Sequence, residues 1–132
     1  MGYRIGIDTA DSHAVSASLL RFGHRYLQRV YTSQEVADCT WHEQVQALRL
    51  AARFAAKEAA VKVLRPGQEP IPWSAVAVHS RHDGSPELVL SGAAIRWATE
   101  QQLSDFEVSL THEGHIASAV VLARTGGPAD DV

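Results

Sequence analysis

The stretch at residues 50–64, LAARFAAKEAAVKVL, places charged side chains on an alanine-rich, helix-forming background. The charged residues are Arg53, Lys57, Glu58 and Lys62. Glu58 and Lys62 are spaced i,i+4, and a solvated ion pair at this spacing stabilises a helix by only about 0.3–0.5 kcal/mol. The spacing alone therefore favours a solvated helix face over a chemical site.

A chemical role for the same helix requires a second carboxylate, and Asp8 is the candidate. It ends a predicted strand at residues 3–8, YRIGID, in which apolar and polar residues alternate. Two carboxylates that meet in space repel each other, and a hard divalent cation such as Mg²⁺, which prefers oxygen ligands, relieves that repulsion. Mg²⁺ usually takes one or two protein carboxylates and completes its coordination with waters and substrate phosphates. Asp8, Glu58 and the three neighbouring cations are therefore read as a candidate metal–diphosphate site.

The elements that would position these residues follow one another in a mixed order. Thr32 and Glu35 in TSQE match a capping box, which predicts the start of a short helix. A long helix is predicted from about Trp41 to Leu64, with its alanine side packed against a sheet or another helix. Two strand pairs, with turns at HDGSP and EGH, flank a helix at residues 92–102. This order predicts an α+β fold with helices packed on a mostly antiparallel sheet.

Length and composition predict one globular domain. The 132 residues carry a net charge of -3, which argues against a protein that coats nucleic acid. The only cysteine, Cys39, cannot form an internal disulfide, which favours a reducing compartment and a cytoplasmic location. We see no signal peptide and no apolar run long enough to cross a membrane. We expect one domain at residues 1–124 and a disordered tail at residues 125–132.

Four motifs carry a resemblance to a known family. They are GID at residues 6–8, RFAAKEA at residues 53–59, SG at residues 91–92 and VSLTHE at residues 108–113. In this order they resemble the 4'-phosphopantetheinyl transferases of the holo-(acyl-carrier-protein) synthase type, over about residues 3–123. RFAAKEA is the most specific of the four. The resemblance implies a small α+β domain that is usually a homotrimer, with each active site between neighbouring subunits.

The resemblance also implies a reaction and a set of site residues. The phosphopantetheine arm of coenzyme A moves to a serine of an acyl carrier protein, and adenosine 3',5'-bisphosphate is released. Asp8 and Glu58 match the residues that hold Mg²⁺ in the family, and Lys62 is placed to contact the same diphosphate. Arg53 and Lys57 are expected to bind the 3'-phosphate or the α-phosphate of coenzyme A, and which phosphate each residue binds stays open. Positioning and electrostatic stabilisation do most of the catalysis in such a phosphoryl transfer.

Three further roles remain open between alternatives. The serine proton is accepted either by Glu58, through a metal-bound water, or by Asp11, where the family commonly has glutamate. His112 in VSLTHE either contacts coenzyme A from a neighbouring subunit or bonds the backbone as a strand-end histidine. Gly84 and Pro86 are first of all residues of a hairpin turn. The family places this turn near the adenine, which implies a second role in binding coenzyme A.

The carrier protein is acidic, so its enzyme needs a basic docking face. Arg21, Arg25 and Arg29 in RFGHRYLQRV would lie on one side of a helix, near Phe22 and Tyr26. By pattern alone they form either a solvated basic face or a docking surface, and the resemblance favours docking. Such contacts act on association rate and salt dependence more than on final affinity. The sequence does not indicate a carrier of fatty acid, polyketide or peptide biosynthesis in particular.

The chain departs from the family pattern at four places, which affect the expected docking of the carrier more than the expected metal site. Thr9-Ala10 stand where apolar residues are usual, Ala14 where an arginine helps to dock the carrier, RPGQEP where a glycine-threonine loop is usual, and Ser85 where lysine is common. Two other function classes therefore stay open: a non-catalytic module that binds coenzyme A or the carrier, and a structural oligomerising domain. The intact carboxylates favour the enzyme.

The remaining histidines lack the spacing of metal ligands, and we expect them on the surface. They are His13, His24, His42, His79, His82 and His115.

Overall fold

The structure, a computed structural model, describes residues 1–126, which contain seven strands and five helices. The strands are β1 (Gly2–Asp11), β2 (Thr40–Trp41), β3 (Gln44–Val45), β4 (Val76–Ser80), β5 (Pro86–Leu90), β6 (Ser104–Glu113) and β7 (Ile116–Thr125). The helices are α1 (Ser12–Phe22), α2 (His24–Val30), α3 (Ser33–Asp38), α4 (Ala47–Leu64) and α5 (Gly92–Glu100). A short 3₁₀ turn at Trp73–Ala75 precedes β4. Residues 127–132 of the predicted tail lie outside the described residues, while Thr125 ends β7.

The main sheet has three antiparallel strands in the order β1-β7-β6. Helix α4 packs along β1 and β7 on one face of this sheet. The hairpin of β4 and β5 and the two-residue pair of β2 and β3 form separate small sheets. The α+β prediction, with helices on an antiparallel sheet, is therefore confirmed.

Small residues bring α4 and the sheet close together. Ala55 and Ala59 of α4 are fully buried, as are Ala119 and Val121 on the facing side of β7. The approach is closest at Gly6 of β1, where a Cβ atom would lie 2.3 Å from the carbonyl oxygen of Ala59. Only glycine fits such an approach between two backbones. The alanine side of the long helix therefore packs on the sheet, as predicted.

The long helix begins later than the sequence pattern predicts. It starts at Ala47, with Gln46 as its N-cap residue, and not near Trp41. Residues 40–45 form the β2–β3 hairpin instead, and the two residues at its turn, His42 and Glu43, have φ angles of 49° and 64°. Two left-handed residues match the right-handed twist of a two-residue hairpin and cannot continue an α-helix.

The short helix α3 begins as predicted, at a capping box. The Thr32 hydroxyl accepts a hydrogen bond from the Glu35 backbone N–H at 3.1 Å. The Glu35 carboxylate accepts one from the Thr32 N–H at 2.9 Å. Glu35 is nevertheless fully buried, which the capping role alone does not require.

Among residues 1–126, we find no helix with both the length and the apolar character that crossing a membrane requires.

Candidate functional site

Asp8 and Glu58 come together where β1 crosses α4. Partial burial of Glu58, the charge of Asp8 and a hydrogen bond with the Asp8 side chain together raise the pKa of the Glu58 carboxyl group to about 7. Lys62 opposes this shift. Such a perturbation by a like charge is typical of functional carboxylates. The two acidic residues that are distant in sequence are therefore neighbours in space.

Lys62 is held at the same place, one helical turn after Glu58. Its ammonium group donates a hydrogen bond to the Ile7 carbonyl oxygen at 2.9 Å and lies 3.7 Å from Asp8 Oδ1. The Lys62 side chain is 56% exposed, whereas that of Asp8 is only 19% exposed. The Thr9 backbone N–H donates to Asp8 Oδ1 at 2.8 Å and fixes the carboxylate further. Lys62 therefore has free donors that face solvent beside the two carboxylates.

The donor set fits a hard divalent cation. Asp8 and Glu58 offer only oxygen atoms, and after partial burial the charge of Asp8 is the next cause of the raised pKa of Glu58. Lys62 is the one cation in contact with Asp8 in the described part of the chain, so two carboxylates face a single lysine. A Mg²⁺ ion would balance this excess negative charge and use oxygen ligands that it prefers.

An apolar cleft of about 300 Å³ opens beside Glu58. Its polar lining includes Asp11 and Ser18, and its apolar lining includes Phe54 and Trp73, whose rings are 5.2 Å apart. Asp11 is the N-cap of α1, where Oδ1 accepts a hydrogen bond from the His13 N–H at 2.8 Å. Glu58 and Asp11, the two candidate proton acceptors, therefore line one cleft.

Lys57 does not belong to this site, although it precedes Glu58 in sequence. Its side chain is fully buried, and Nζ lies 2.7 Å from Glu35 Oε1. It also donates to the carbonyl oxygens of Trp73 at 2.8 Å and Val76 at 3.4 Å. Burial lowers the pKa of Lys57, and the Glu35 carboxylate opposes this. The expectation that Lys57 binds a phosphate is wrong, because its donors are enclosed and already used.

Glu35 is the partner of Lys57 that sequence reasoning missed. Besides closing the capping box, its second oxygen accepts a hydrogen bond from the Val78 backbone N–H at 2.9 Å. One carboxylate thus joins α3, α4 and β4. The capping-box pattern was the signal for Glu35, but it gave no sign of a buried partner 22 residues along the chain.

Arg53 and His112 lie together in a different cleft, of about 350 Å³. The Arg53 side chain is 7% exposed, and its Nη2 donates to the Ser80 hydroxyl at 2.7 Å. Its Nε is buried and has no hydrogen-bond partner among the described residues. His112 is exposed at the end of β6. The structure therefore brings together two residues that were predicted to bind coenzyme A.

Gly84 lies in the predicted β4–β5 turn, and Pro86 follows it as the first residue of β5. Gly84 has a φ of 88°, and its N–H donates to the Arg81 carbonyl oxygen at 2.9 Å. The Asp83 carboxylate accepts from both the N–H and the hydroxyl of Ser85. These contacts account for the turn itself, and the adenine-binding role stays a prediction.

The three arginines of the predicted basic face lie on two helices. Gly23, with a φ of 56°, separates Arg21 in α1 from Arg25 and Arg29 in α2, so the expected single helix face is wrong. Phe22 nevertheless lies near the arginines of both helices. The Arg21 guanidinium lies 5.2 Å from the centre of its ring, and Phe22 lines a groove with Arg25 and Arg29. The result is a basic surface around an exposed aromatic ring.

The chain is similar in sequence and in fold to proteins of known activity. A family model described as the 4'-phosphopantetheinyl transferase superfamily matches residues 4–120. A holo-[acyl-carrier-protein] synthase of Halothermothrix orenii is 36% identical, covering 92% of this chain and 97% of the relative. One of Chloroflexus aurantiacus is 37% identical with the same coverage of both chains. The crystal structure of the enzyme from Neisseria meningitidis has a TM-score of 0.81 at 26% identity, covering 95% of this chain and all of that one.

Proposed function

Because the chain belongs to the 4'-phosphopantetheinyl transferase superfamily, we propose that Asp8 and Glu58 hold the Mg²⁺ of a holo-(acyl-carrier-protein) synthase. The enzyme transfers the 4'-phosphopantetheine arm of coenzyme A to a serine of an acyl carrier protein. The contact of Asp8 with both Glu58 and Lys62 is the observation that carries the proposal.

The reaction makes one phosphorus–oxygen bond and breaks another. The serine oxygen of the carrier attacks the β-phosphorus, and the bond from that phosphorus to the bridging oxygen breaks. Adenosine 3',5'-bisphosphate leaves with the bridging oxygen, and the serine proton passes to an acceptor in the cleft. Bound Mg²⁺ would supply neutralisation of the charge on the diphosphate oxygens.

The residues of the chain have separate roles in this proposal. Lys62 binds the diphosphate with the donors that it does not use on Ile7 and Asp8. Glu58 and Asp11 stay the two candidates for accepting the serine proton, because both line the cleft. The apolar part of that cleft would limit the access of water to the reacting groups and contact the methyl and methylene groups of the pantetheine arm.

Coenzyme A also presents an adenosine 3'-phosphate, for which a second set of residues is available. Arg53 and His112 share one cleft, so they would engage the same end of the ligand. The buried Nε of Arg53 has no hydrogen-bond partner in the described part of the chain. This supports a ligand oxygen as its acceptor, because buried donors are normally hydrogen-bonded. We propose that this cleft meets the carboxylates of a neighbouring subunit, with Gly84 and Pro86 near the adenine.

The outer face of the sheet supports an assembly of several copies of this chain, which the family resemblance gives as a homotrimer. Tyr3, Ile5 and Ile7 of β1 are 67%, 70% and 61% exposed. Ile5 and Ile7 pair with Leu122 and Val120 of β7, so an apolar surface runs across two strands on the side away from α4. A row of exposed apolar residues is typical of an interface between protein chains.

The basic surface around Phe22 is the proposed docking site for the carrier. An acidic carrier would be attracted by Arg21, Arg25 and Arg29, while Phe22, 49% exposed, supplies an apolar contact. Docking of this kind depends on salt concentration because opposite charges attract across solvent. The cytoplasmic location stays a prediction from the cysteine content.

Mass spectrometry of an apo carrier protein tests the proposed function. Carriers of fatty acid, polyketide and peptide pathways are incubated with coenzyme A, Mg²⁺ and the enzyme, and the mass gain of a phosphopantetheine arm is measured. We expect Glu58→Gln to lower the rate by at least about 10²-fold, the usual scale for loss of a group that stabilises transition-state charge. Light scattering should give three copies for both proteins.

The outcomes separate the competing functions. If the wild-type protein binds coenzyme A but modifies none of the carriers, while a control transferase does, the chain is a binding module. If it binds neither Mg²⁺ nor coenzyme A, it is a structural domain. Near wild-type activity of the Glu58→Gln variant would show that Glu58 is neither a required Mg²⁺ ligand nor the proton acceptor.

A further inference from the structure

Two histidines that are about a hundred residues apart in sequence meet at the start of α1. His13 lies in the first turn of α1, and His115 lies in the turn between β6 and β7. Their rings are parallel within 5°, with centres 4.2 Å apart. Both side chains are exposed, as the sequence predicts, but their meeting could not be predicted from spacing.

A carboxylate completes this cluster. Asp11 Oδ1 lies 3.9 Å from His13 Nδ1, and Asp11 Oδ2 lies 3.9 Å from His115 Nε2. One possible ligand atom from each of the three residues lies within 4.8 Å of the other two. We propose that Asp11, His13 and His115 form a binding site for a divalent transition metal of the zinc class, separate from the Mg²⁺ site at Asp8 and Glu58.

The backbone already holds the three residues in place. The Ser12 N–H donates to the His115 carbonyl oxygen at 2.8 Å, which ties the first residue of α1 to the β6–β7 turn. Asp11 pairs with Ile116 in the register of β1 and β7. Metal binding therefore needs no folding of a loop and loses little backbone entropy.

Only side-chain rotation is needed to close the site. Zn²⁺ bonds of about 2.0–2.2 Å place ligand atoms roughly 3.3 Å apart in a tetrahedron, so ligand atoms that now lie within 4.8 Å of one another must approach by up to about 1.5 Å. The lone pairs of two stacked imidazoles do not converge, and one ring must leave the stack. The side chains of His13 and His115 are 74% and 50% exposed, which leaves solvent space for that rotation.

The ligand types decide between metals. Two imidazoles and a carboxylate suit Zn²⁺, Co²⁺ or Ni²⁺, whereas Mg²⁺ prefers oxygen ligands alone. Three protein ligands leave a fourth position for water, as in open zinc sites. Asp11 also lines the cleft beside Glu58, so the proposed metal would sit at the rim of that cleft.

Calorimetric titration with Zn²⁺ tests the site on untagged protein, in excess Mg²⁺ so that Asp8 and Glu58 are occupied. We expect one Zn²⁺ per chain for the wild type. His13→Ala and His115→Ala should each weaken binding by more than the roughly tenfold loss seen when an outer partner of a metal ligand is removed. His82→Ala, at an exposed histidine of the β4–β5 turn, is the matched control and should bind as the wild type does.

Two readouts keep the result independent of catalysis and of folding. Co²⁺ absorption bands should report nitrogen ligands and should disappear in both variants, whose circular dichroism should match that of the wild type. Glu58→Gln should retain Zn²⁺ binding. The proposal is overturned if the wild type binds no Zn²⁺, or if either histidine variant binds it as tightly as the wild type does.

Discussion

Two charged groups on successive residues of α4 have opposite surroundings. Lys57 and Glu35 are fully buried, and their polar atoms are used by Trp73, Val76 and Val78 in addition to each other. One residue further on, Glu58 is half-buried and meets Asp8, a second carboxylate. The first group is neutral as a pair and closed to solvent, whereas the second keeps excess negative charge beside open space.

The difference separates a structural role from a functional one. A buried ion pair whose hydrogen bonds are complete has no group left to bind a ligand, and its removal leaves an uncompensated charge in the core. A pair of like charges in partial contact with solvent weakens the fold and is retained where a ligand compensates it. Charge type and helical position did not distinguish these groups; the partner of each side chain did.

The largest expected effect is on stability, and it tests the buried pair of Lys57 and Glu35. Lys57→Met should lower the free energy of unfolding by about 3–5 kcal/mol, because the Glu35 carboxylate would stay buried without its cation. Denaturant unfolding followed by circular dichroism, at one fixed protein concentration, measures it. Glu58→Gln should be neutral or stabilising in the same assay, since it removes like-charge repulsion. A loss below about 1 kcal/mol for Lys57→Met would contradict a dry, closed pair.

The next effect is on the pH dependence of stability, and it tests the half-buried pair of Glu58 and Asp8. The folded-state pKa of Glu58 is raised to about 7, so the native state holds this proton more tightly than the unfolded chain does. In the absence of metal, the Glu58 contribution to stability is present below the ordinary carboxyl pKa and is lost as pH rises towards 7.

Magnesium binding should follow the opposite course, because the proton competes with the metal for Glu58. Apparent Mg²⁺ affinity should rise about tenfold from pH 6 to pH 8 and level off above that range. Calorimetry across this range measures it, and Glu58→Gln supplies the reference with weaker and flatter binding. An affinity that is independent of pH in the wild type would show that Glu58 is not a ligand.

The smallest effect compares the two lysines directly, with the same substitution on the same helix. Lys62→Met should change stability by less than about 1 kcal/mol, because Lys62 is 56% exposed and its ion pair is screened. It should raise the KM for coenzyme A by up to about fivefold, from loss of a contact to the diphosphate. Steady-state kinetics at saturating carrier separates this from a change in kcat, and an unchanged KM would remove Lys62 from the binding site.

Much of the fold was accessible from local pattern. Alternation in β1, the TSQE box before α3 and the turn residues of the two later hairpins depend on contacts within a few residues, and the structure has each of them. The pairing of Asp8 with Glu58 was a hypothesis from residue chemistry that the family resemblance strengthened, since no local pattern sets the contact of a strand and a helix fifty residues apart.

The rest depended on contacts that sequence spacing does not encode. Helical propensity extended α4 back to Trp41, but left-handed turn residues at His42 and Glu43 form a hairpin there. Helical position predicted that Lys57 would share a site with the other charged residues. Its ammonium group instead contacts the buried carboxylate of Glu35. The Asp11–His13–His115 cluster exists only because the register of β1 and β7 brings the start of α1 next to the β6–β7 turn.

The close approach at Gly6 has a consequence for how such a site persists. Gly6 lies two residues before Asp8, and Ala59, whose carbonyl it meets, follows Glu58. The spacing of the two carboxylates proposed to bind Mg²⁺ therefore depends on a contact between main-chain atoms, and exchange of core side chains should disturb it less than a substitution at Gly6. Position 6 is therefore the sensitive one, because any residue larger than glycine there would move β1 away from α4.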